Sequence, residues 1–293
     1  GDEVDLTYHY KYLGGETELL AQIQSGNHDK AKDLERAENP MIIIGNTIYK
    51  RKDSEALIKK VLEIAEKFGA TRDDWNGVNA LQKAAARVGG LELGFVPQEG
   101  GFDIDAIQRG ARSGDIEVLY LLNADEMDTK ALEKPFVIYQ GHHGDKGAEV
   151  ADLILPGAAY TEKNSTYVNL EGRMQHAFRA TFPPGDAKED WQIIAKLLEH
   201  LGGSGFSSLE GLRSEMAEVS EVFAKRDHVF SYKWPKASDF EAKSELSKHP
   251  IETDKFNFYF TDPISRVSKT MIKCNEEFGA EKGFIQTKEE VAA

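Results

Sequence analysis

Phe136-Val137-Ile138-Tyr139-Gln140 is a short, almost unbroken run of β-branched and aromatic residues. Ile116-Glu117-Val118-Leu119-Tyr120-Leu121-Leu122 precedes it and Asp152-Leu153-Ile154-Leu155 follows. Runs of this length and type read as buried strands, and an all-apolar one as a strand buried on both faces, the habit of parallel sheets. Met41-Ile42-Ile43-Ile44, closed by Gly45-Asn46, is a fourth of the same kind. Amphipathic stretches lie around these runs. Asp53 or Ser54 can cap a helix on which Leu57, Val61, Ile64, Ala65 and Phe68 share a face, with Lys67 and Gly69 as stop signals. Residues 79–88 repeat the pattern, with Leu81, Ala84, Ala85 and Val88 inward and Gly89-Gly90 at the end. Residues 189–201 make a further helix, and Leu209, Leu212, Met216, Val219 and Phe223 mark another. Apolar strands alternating with such helices predict an α/β fold, a doubly wound and mostly parallel sheet covered by helices.

The flanks differ from this body. Residues 1–39 are polar and weakly periodic, an extended lead-in with a short helix near residues 18–25. The α/β domain occupies residues 40–226. Residues 227–260 mix charges and aromatics with little period, which predicts an extended arm lying on another surface. Asp262-Pro263 then starts a terminal helix carrying the apolar stripe Ile264, Val267, Met271, Cys274 and Phe278, frayed from Ala280 onward.

Composition narrows the function. Hydrophobic residues are 40% and charged residues 29% of the 293, as in ordinary globular domains. No apolar run approaches the about 20 residues needed to span a bilayer. A net charge of −14, from 36 basic and 50 acidic residues, repels phosphate backbones and argues against nucleic acid as a partner. The single cysteine, Cys274, cannot supply the about four thiolates of an iron–sulfur cluster. On the helix stripe it reads as a buried, inert thiol. The start at Gly1 is read as a removed targeting segment or as a position inside a longer product.

Two constellations carry possible chemistry. Gln140-Gly141-His142-His143-Gly144-Asp145 follows a strand, where α/β proteins place ligands. His142, His143 and Asp145, with His176, are candidate metal ligands. Adjacent side chains diverge, however, and the i, i+2 or i, i+4 spacing is missing, so a glycine-built turn with backbone-bonded imidazoles is the plainer reading. The second constellation runs from Ala151 through Asp152, Pro156, Glu162 and Lys163 to Asn169, Glu171, Gly172 and Arg173. Glu162, Lys163, Asn169 and Arg173 either converge on an anion or form structural ion pairs and turn hydrogen bonds. Side-chain chemistry alone favours the second. No G-x-G-x-x-G, Walker A or G-x-S-x-G pattern is present.

The string A-D-L-I-L-P-x-A-x-x-x-E-K over residues 151–163, followed by T-Y-x-N-x-E-G-R over residues 166–173, resembles the molybdopterin oxidoreductase superfamily. Joined to Tyr139-Gln140-Gly141-His142-His143-Gly144-Asp145, it resembles more narrowly the large iron–sulfur (seventy-five-kilodalton) subunits of respiratory complex I, NADH:ubiquinone oxidoreductase, and their bacterial counterparts. Pro183-Pro184-Gly185, Glu189-Asp190-Trp191 and Phe258-Tyr259-Phe260-Thr261-Asp262 agree, so the resemblance runs from about residue 40 to 275.

That resemblance implies the carboxy-terminal, cluster-free part of such a subunit. It implies a scaffold on the hydrophilic arm, in the NADH-oxidising module, without a catalytic residue or cofactor of its own. Asp152, Pro156, Glu162, Lys163, Asn169 and Arg173 are then a vestigial motif. The implied partners are other complex I subunits, above all the cluster-bearing amino-terminal part, with iron–sulfur clusters and FMN in neighbours and the membrane touched only indirectly. The implied location is the matrix side of the mitochondrial inner membrane, or alternatively the cytoplasmic face of a bacterial plasma membrane. A working molybdopterin-dependent oxidoreductase fragment is the rival expectation, and a free-standing anion-binding module is a third.

Overall fold

The computed structural model describes residues 1–4, 8–124, 127–144, 146–253 and 257–278. It has two compact units, Gly1–Lys83 with Ser231–Ala293, and Ala84–Phe230. The fold class is α/β, with parallel sheets flanked by helices. No helix among the described residues is long and apolar enough to cross a membrane.

The first unit opens with α1 (Glu18–Ser25), ended by Gly26 in the left-handed region, and α2 (Asp29–Arg36). Strand β1 (Ile42–Ile44) leads into α3 (Ser54–Lys67), which buries Leu57, Leu62, Ile64 and Ala65. A short hairpin, β2 (Thr71–Arg72) and β3 (Trp75–Asn76), returns the chain to β4 (Val78–Ala80). Strand β4 lies parallel to β1, Ile42 opposite Val78 and Ile44 opposite Ala80. Two sequence expectations change here. The expected helix over residues 79–88 does not form as such, because Val78–Ala80 pairs with β1 and the Leu81 N–H continues that ladder to the Ile44 carbonyl at 2.9 Å, and helix begins only at Arg87. Strand β1 is not buried on both faces either. Ile44 is buried but Ile43 is 58% exposed, since the two-stranded sheet packs its core on one face only.

The second unit begins with α4 (Arg87–Glu92), which contains Gly89 and Gly90 where a helix stop is expected, and α5 (Ile104–Ser113). Helix α5 has little apolar pattern, but Asp103 caps it by accepting from the Ala106 N–H at 2.7 Å, and Gly114 ends it in the left-handed region. Then come β5 (Val118–Leu122), β6 (Phe136–Gly141), the single turn α6 (Lys146–Glu149) and β7 (Leu153–Pro156). These strands form one parallel sheet in the order β5-β6-β7. Its inner face, Leu119, Leu121, Val137 and Tyr139, packs with Leu132 and with Ala111 of α5. Its outer face carries Val118, Leu122, Phe136 and Leu153, all exposed. The hairpin β8 (Ser165–Val168) and β9 (Met174–Ala177) follows, then α7 (Asp190–His200) and α8 (Leu209–Val219). Val168 and Met174 of the hairpin form a small core with Val222 and Phe223.

Residues 231–253 belong to the first unit and are extended, as expected, but the surface beneath them is this chain's own. Trp234 donates its indole N–H to the Val78 carbonyl at 2.8 Å and packs with Leu246 and Ile251 on the core around Leu57. The Ser247 N–H reaches Asp53 Oδ2 at 2.9 Å, and Arg51 donates to the Pro250 carbonyl at 2.8 Å. Asp53 therefore sits at the start of α3 without capping it. The Arg51 guanidinium, ahead of all other causes, holds its carboxyl below the usual range. Beyond the arm, Asp262 caps α9 (Pro263–Val267), accepting from the Ile264 N–H at 2.8 Å. The expected single terminal helix is broken by extended backbone at Ser268, and α10 (Lys269–Phe278) restarts after it. The stripe is not buried: Val267, Met271 and Phe278 are exposed and Cys274 is half-buried. The expected fraying from Ala280 lies outside the described residues.

Candidate functional site

The carboxyl ends of β6 and β7 are Gly141 and Pro156, opposite each other in register. Gln140, just before that end, is fully buried, and a buried amide must find partners. Tyr120 on β5 donates its hydroxyl to Gln140 Oε1, and Gln140 Nε2 donates to Asp190 Oδ1 at 2.8 Å. The other Asp190 oxygen is ion-paired with Lys163. Burial, and secondarily the Asp190 charge, raises the Tyr120 hydroxyl above its ordinary pKa. Gly157 makes room for this chain of contacts, since a Cβ there would stand 3.0 Å from Asp190 Oδ1. In the sequence Asp190 is visible only as part of the Glu189-Asp190-Trp191 flank. In the fold it is the centre of the site.

The motif residues do not gather around this centre as a set. Asp152 lies at the opposite, amino-terminal end of the strands, where its Oδ2 accepts from the Val137 N–H at 2.8 Å. Glu162 closes its own turn, accepting from the Ala159 N–H at 3.0 Å. Pro156 ends β7 and accepts from the Lys188 N–H at 3.1 Å. Asn169 is not on a strand but in the β8–β9 turn, where its Oδ1 accepts from the Glu171 and Arg173 N–H groups at 2.9 and 3.0 Å. Arg173 donates to Glu171 at 3.2 Å and to the Asp227 carbonyl at 2.8 Å. Hydrogen bonds from Asn169, then Arg173, hold the Glu171 carboxyl below its usual range. Only Lys163 joins the buried network.

The two adjacent histidines meet each other, and His176 lies elsewhere. His142 and His143 bring their Nδ1 atoms to 2.7 Å, an arrangement that uses one ring as donor and the other as acceptor. His176 sits on β9, in a different sheet. Asp145 lies outside the described residues. Among the described residues no three His, Cys, Asp or Glu side chains are grouped so as to hold a metal ion.

A three-stranded parallel sheet flanked by helices defines an α/β protein, and its carboxyl strand ends, where such folds place ligands, hold this polar cluster instead. The profile of the family described as Molybdopterin oxidoreductase matches residues 1–200, and the chain belongs to that family. A second profile, described as the C-terminal region of the G subunit of NADH-ubiquinone oxidoreductase, matches residues 233–274. The chain is 40% identical over 277 residues to the G subunit of NADH-quinone oxidoreductase from Rickettsia bellii, covering 94% of this chain and 39% of that protein. It is likewise 40% identical over 277 residues to the Rickettsia felis protein of that name, and 40% over 271 to that of Rickettsia conorii. The chain thus spans 38 to 39% of the length of these curated relatives. The resemblance expected for residues 40 to 275 is borne out.

Proposed function

We propose that this chain is a structural part of a respiratory NADH:quinone oxidoreductase of the complex I type. It sits on the hydrophilic arm and supports electron transfer from NADH to quinone without holding a cluster. The observation that carries this reading is how the motif's polar groups are used. Asp152 and Glu162 accept from backbone N–H groups, Lys163 pairs with Asp190, and Asn169 and Arg173 tie a turn together. A molybdenum–pterin group needs donors aimed into an open cradle. Here the carboxyl ends of β6 and β7 are filled by Gln140, Asp190 and Lys163 themselves, so these residues do not fit the group. The rival reading, a working molybdopterin-dependent fragment, rests on the family match alone.

In this reading residues 40–226 are the inherited body, 1–39 the lead-in and 227–293 the arm. Iron–sulfur clusters and FMN belong to neighbouring parts, foremost the cluster-bearing portion of the same subunit. The location is the matrix side of the mitochondrial inner membrane or the cytoplasmic face of a bacterial plasma membrane. The exposed apolar side chains Val118, Leu122, Phe136 and Leu153 on the outer face of the β5-β6-β7 sheet support a docking role. Phe136→Arg should leave the unfolding midpoint of the isolated chain near that of the parent, because the side chain is 47% exposed. Its recovery in the NADH-oxidising assembly should drop about tenfold, the loss of roughly 1.4 kcal/mol of docking energy. Recovery at the parent level would remove the sheet face from the scaffold reading.

A further inference from the structure

A cavity of about 190 Å³ lies in the second unit, away from the strand ends, lined by residues of β8, β9, α8 and the segment after α8. Met174, Met216 and Phe223 give it an apolar wall, with Met174 and Phe223 nearly fully buried. Three basic side chains, His176, Arg213 and Arg226, share the rest of the lining with Thr166 and Ala224. In a chain with a net charge of −14, this concentration of cations around one void runs against composition. Arg213 donates its Nε–H to Thr166 Oγ1 at 3.3 Å and has no carboxylate partner among the described residues. Arg226 is paired with Asp227 at 3.2 Å, leaving one carboxylate against two guanidiniums.

The electrostatics agree with the geometry. His176 is held below its ordinary pKa first by burial, then by the charges of Arg213 and Arg226, against the opposing pull of Asp227. Like charges that line one cleft repel, and an anion that settles between them relieves the repulsion. A guanidinium fork meets a phosphate or carboxylate through paired N–H donors. The flexible thioethers of Met174 and Met216 adapt to an apolar body.

We propose that this cavity binds a small phosphate monoester. Its phosphate would lie against Arg213, Arg226 and the Thr166 hydroxyl, and its short apolar body against Met174, Met216 and Phe223. Phosphate is favoured over carboxylate because its second charge matches the second guanidinium and makes His176 a further donor once protonated. The cavity volume limits the body to about one ring.

The test is titration calorimetry on the full 293-residue chain with phenyl phosphate, inorganic phosphate and benzoate as separate probes. Saturable one-site binding of phenyl phosphate is expected, with inorganic phosphate and benzoate each at least about tenfold weaker. Arg213→Met should weaken phenyl phosphate about tenfold, whereas Arg112→Met, at an exposed ion pair elsewhere, should not. Thr166→Val, which keeps the side-chain volume, should weaken binding less than Arg213→Met and guards against loss of fold. Absence of saturation in a chain whose thermal transition is intact would overturn the proposal, as would an Arg213→Met variant that binds as the parent does. Equal binding of benzoate would overturn the phosphate assignment, and equal binding of inorganic phosphate would overturn the apolar seat.

Discussion

Gly77→Ala is expected to lower the unfolding free energy of the chain by about 3 kcal/mol or more, read by urea denaturation with intact and variant chains side by side. The magnitude follows from what stands around Gly77. A Cβ there would lie 2.2 Å from the Pro40 carbonyl oxygen and 2.4 Å from Trp75 Nε1, closer than any real contact. Those two atoms are joined by a hydrogen bond of 2.9 Å, which passes over the glycine. The glycine backbone is committed as well. Its N–H donates to the Ala70 carbonyl at 2.7 Å, and its carbonyl accepts from the Ile42 N–H at 2.8 Å. A side chain can be admitted only by breaking the Trp75 bond or pulling β1 away from β4. A loss under about 1 kcal/mol would mean that the β3–β4 corner is not packed as described.

Asp190→Ala has the second largest expected effect, about 2–4 kcal/mol. Removing the carboxylate leaves the Gln140 amide without its acceptor and the Lys163 ammonium without its counter-charge. Both groups are largely withdrawn from water, with the Lys163 side chain 17% exposed. That residual exposure keeps the cost below that of a fully buried broken pair, because water can still reach the ammonium. Adding Lys163→Met to Asp190→Ala should restore part of the loss, since a neutral side chain of similar length no longer needs a partner. The remainder belongs to Gln140. A double variant no more stable than Asp190→Ala would show that the ion pair does not contribute as the geometry implies.

The sequence is most legible where a pattern is local. The apolar runs at β5, β6 and β7 and the stripes of α3 and α7 announce themselves within a few residues, and the structure has them within a residue or two of expectation. Misreadings arise where a distant partner decides. Residues 79–88 carry an alanine-rich helical pattern, yet Val78–Ala80 is held as a strand by β1, more than thirty residues earlier. Helix α5 is hard to read because its buried contacts come from Gly110 and Ala111, which carry almost no hydrophobic signal, while its caps Asp103 and Gly114 are the available clue. The arm at residues 231–253 has the composition of a segment in need of a partner, and Trp234 finds one in Val78 of the same chain.

The candidate site divides in the same way. The string from Asp152 to Arg173 carries the family resemblance, but it does not say which side chains meet. Gln140 and Asp190 are fifty residues apart, and nothing local in either segment points to the other. The sequence places Asn169 on a strand that ends at Arg173, but the strand stops at Val168 and Asn169 and Arg173 form the turn after it. The cationic cavity has no local signal, because its residues come from the hairpin, α8 and the segment after it, none of which is basic as a stretch.

The claim that this chain is scaffold and not a working molybdopterin enzyme is tested most directly by metal analysis. The assembly that contains the chain would be purified under native conditions, its NADH oxidation confirmed, and its iron and molybdenum measured by mass spectrometry per mole of chain. A scaffold role predicts a large NADH-oxidising particle rich in iron with molybdenum far below one atom per chain. Stoichiometric molybdenum, or a chain that purifies alone as a clean monomer, would contradict it.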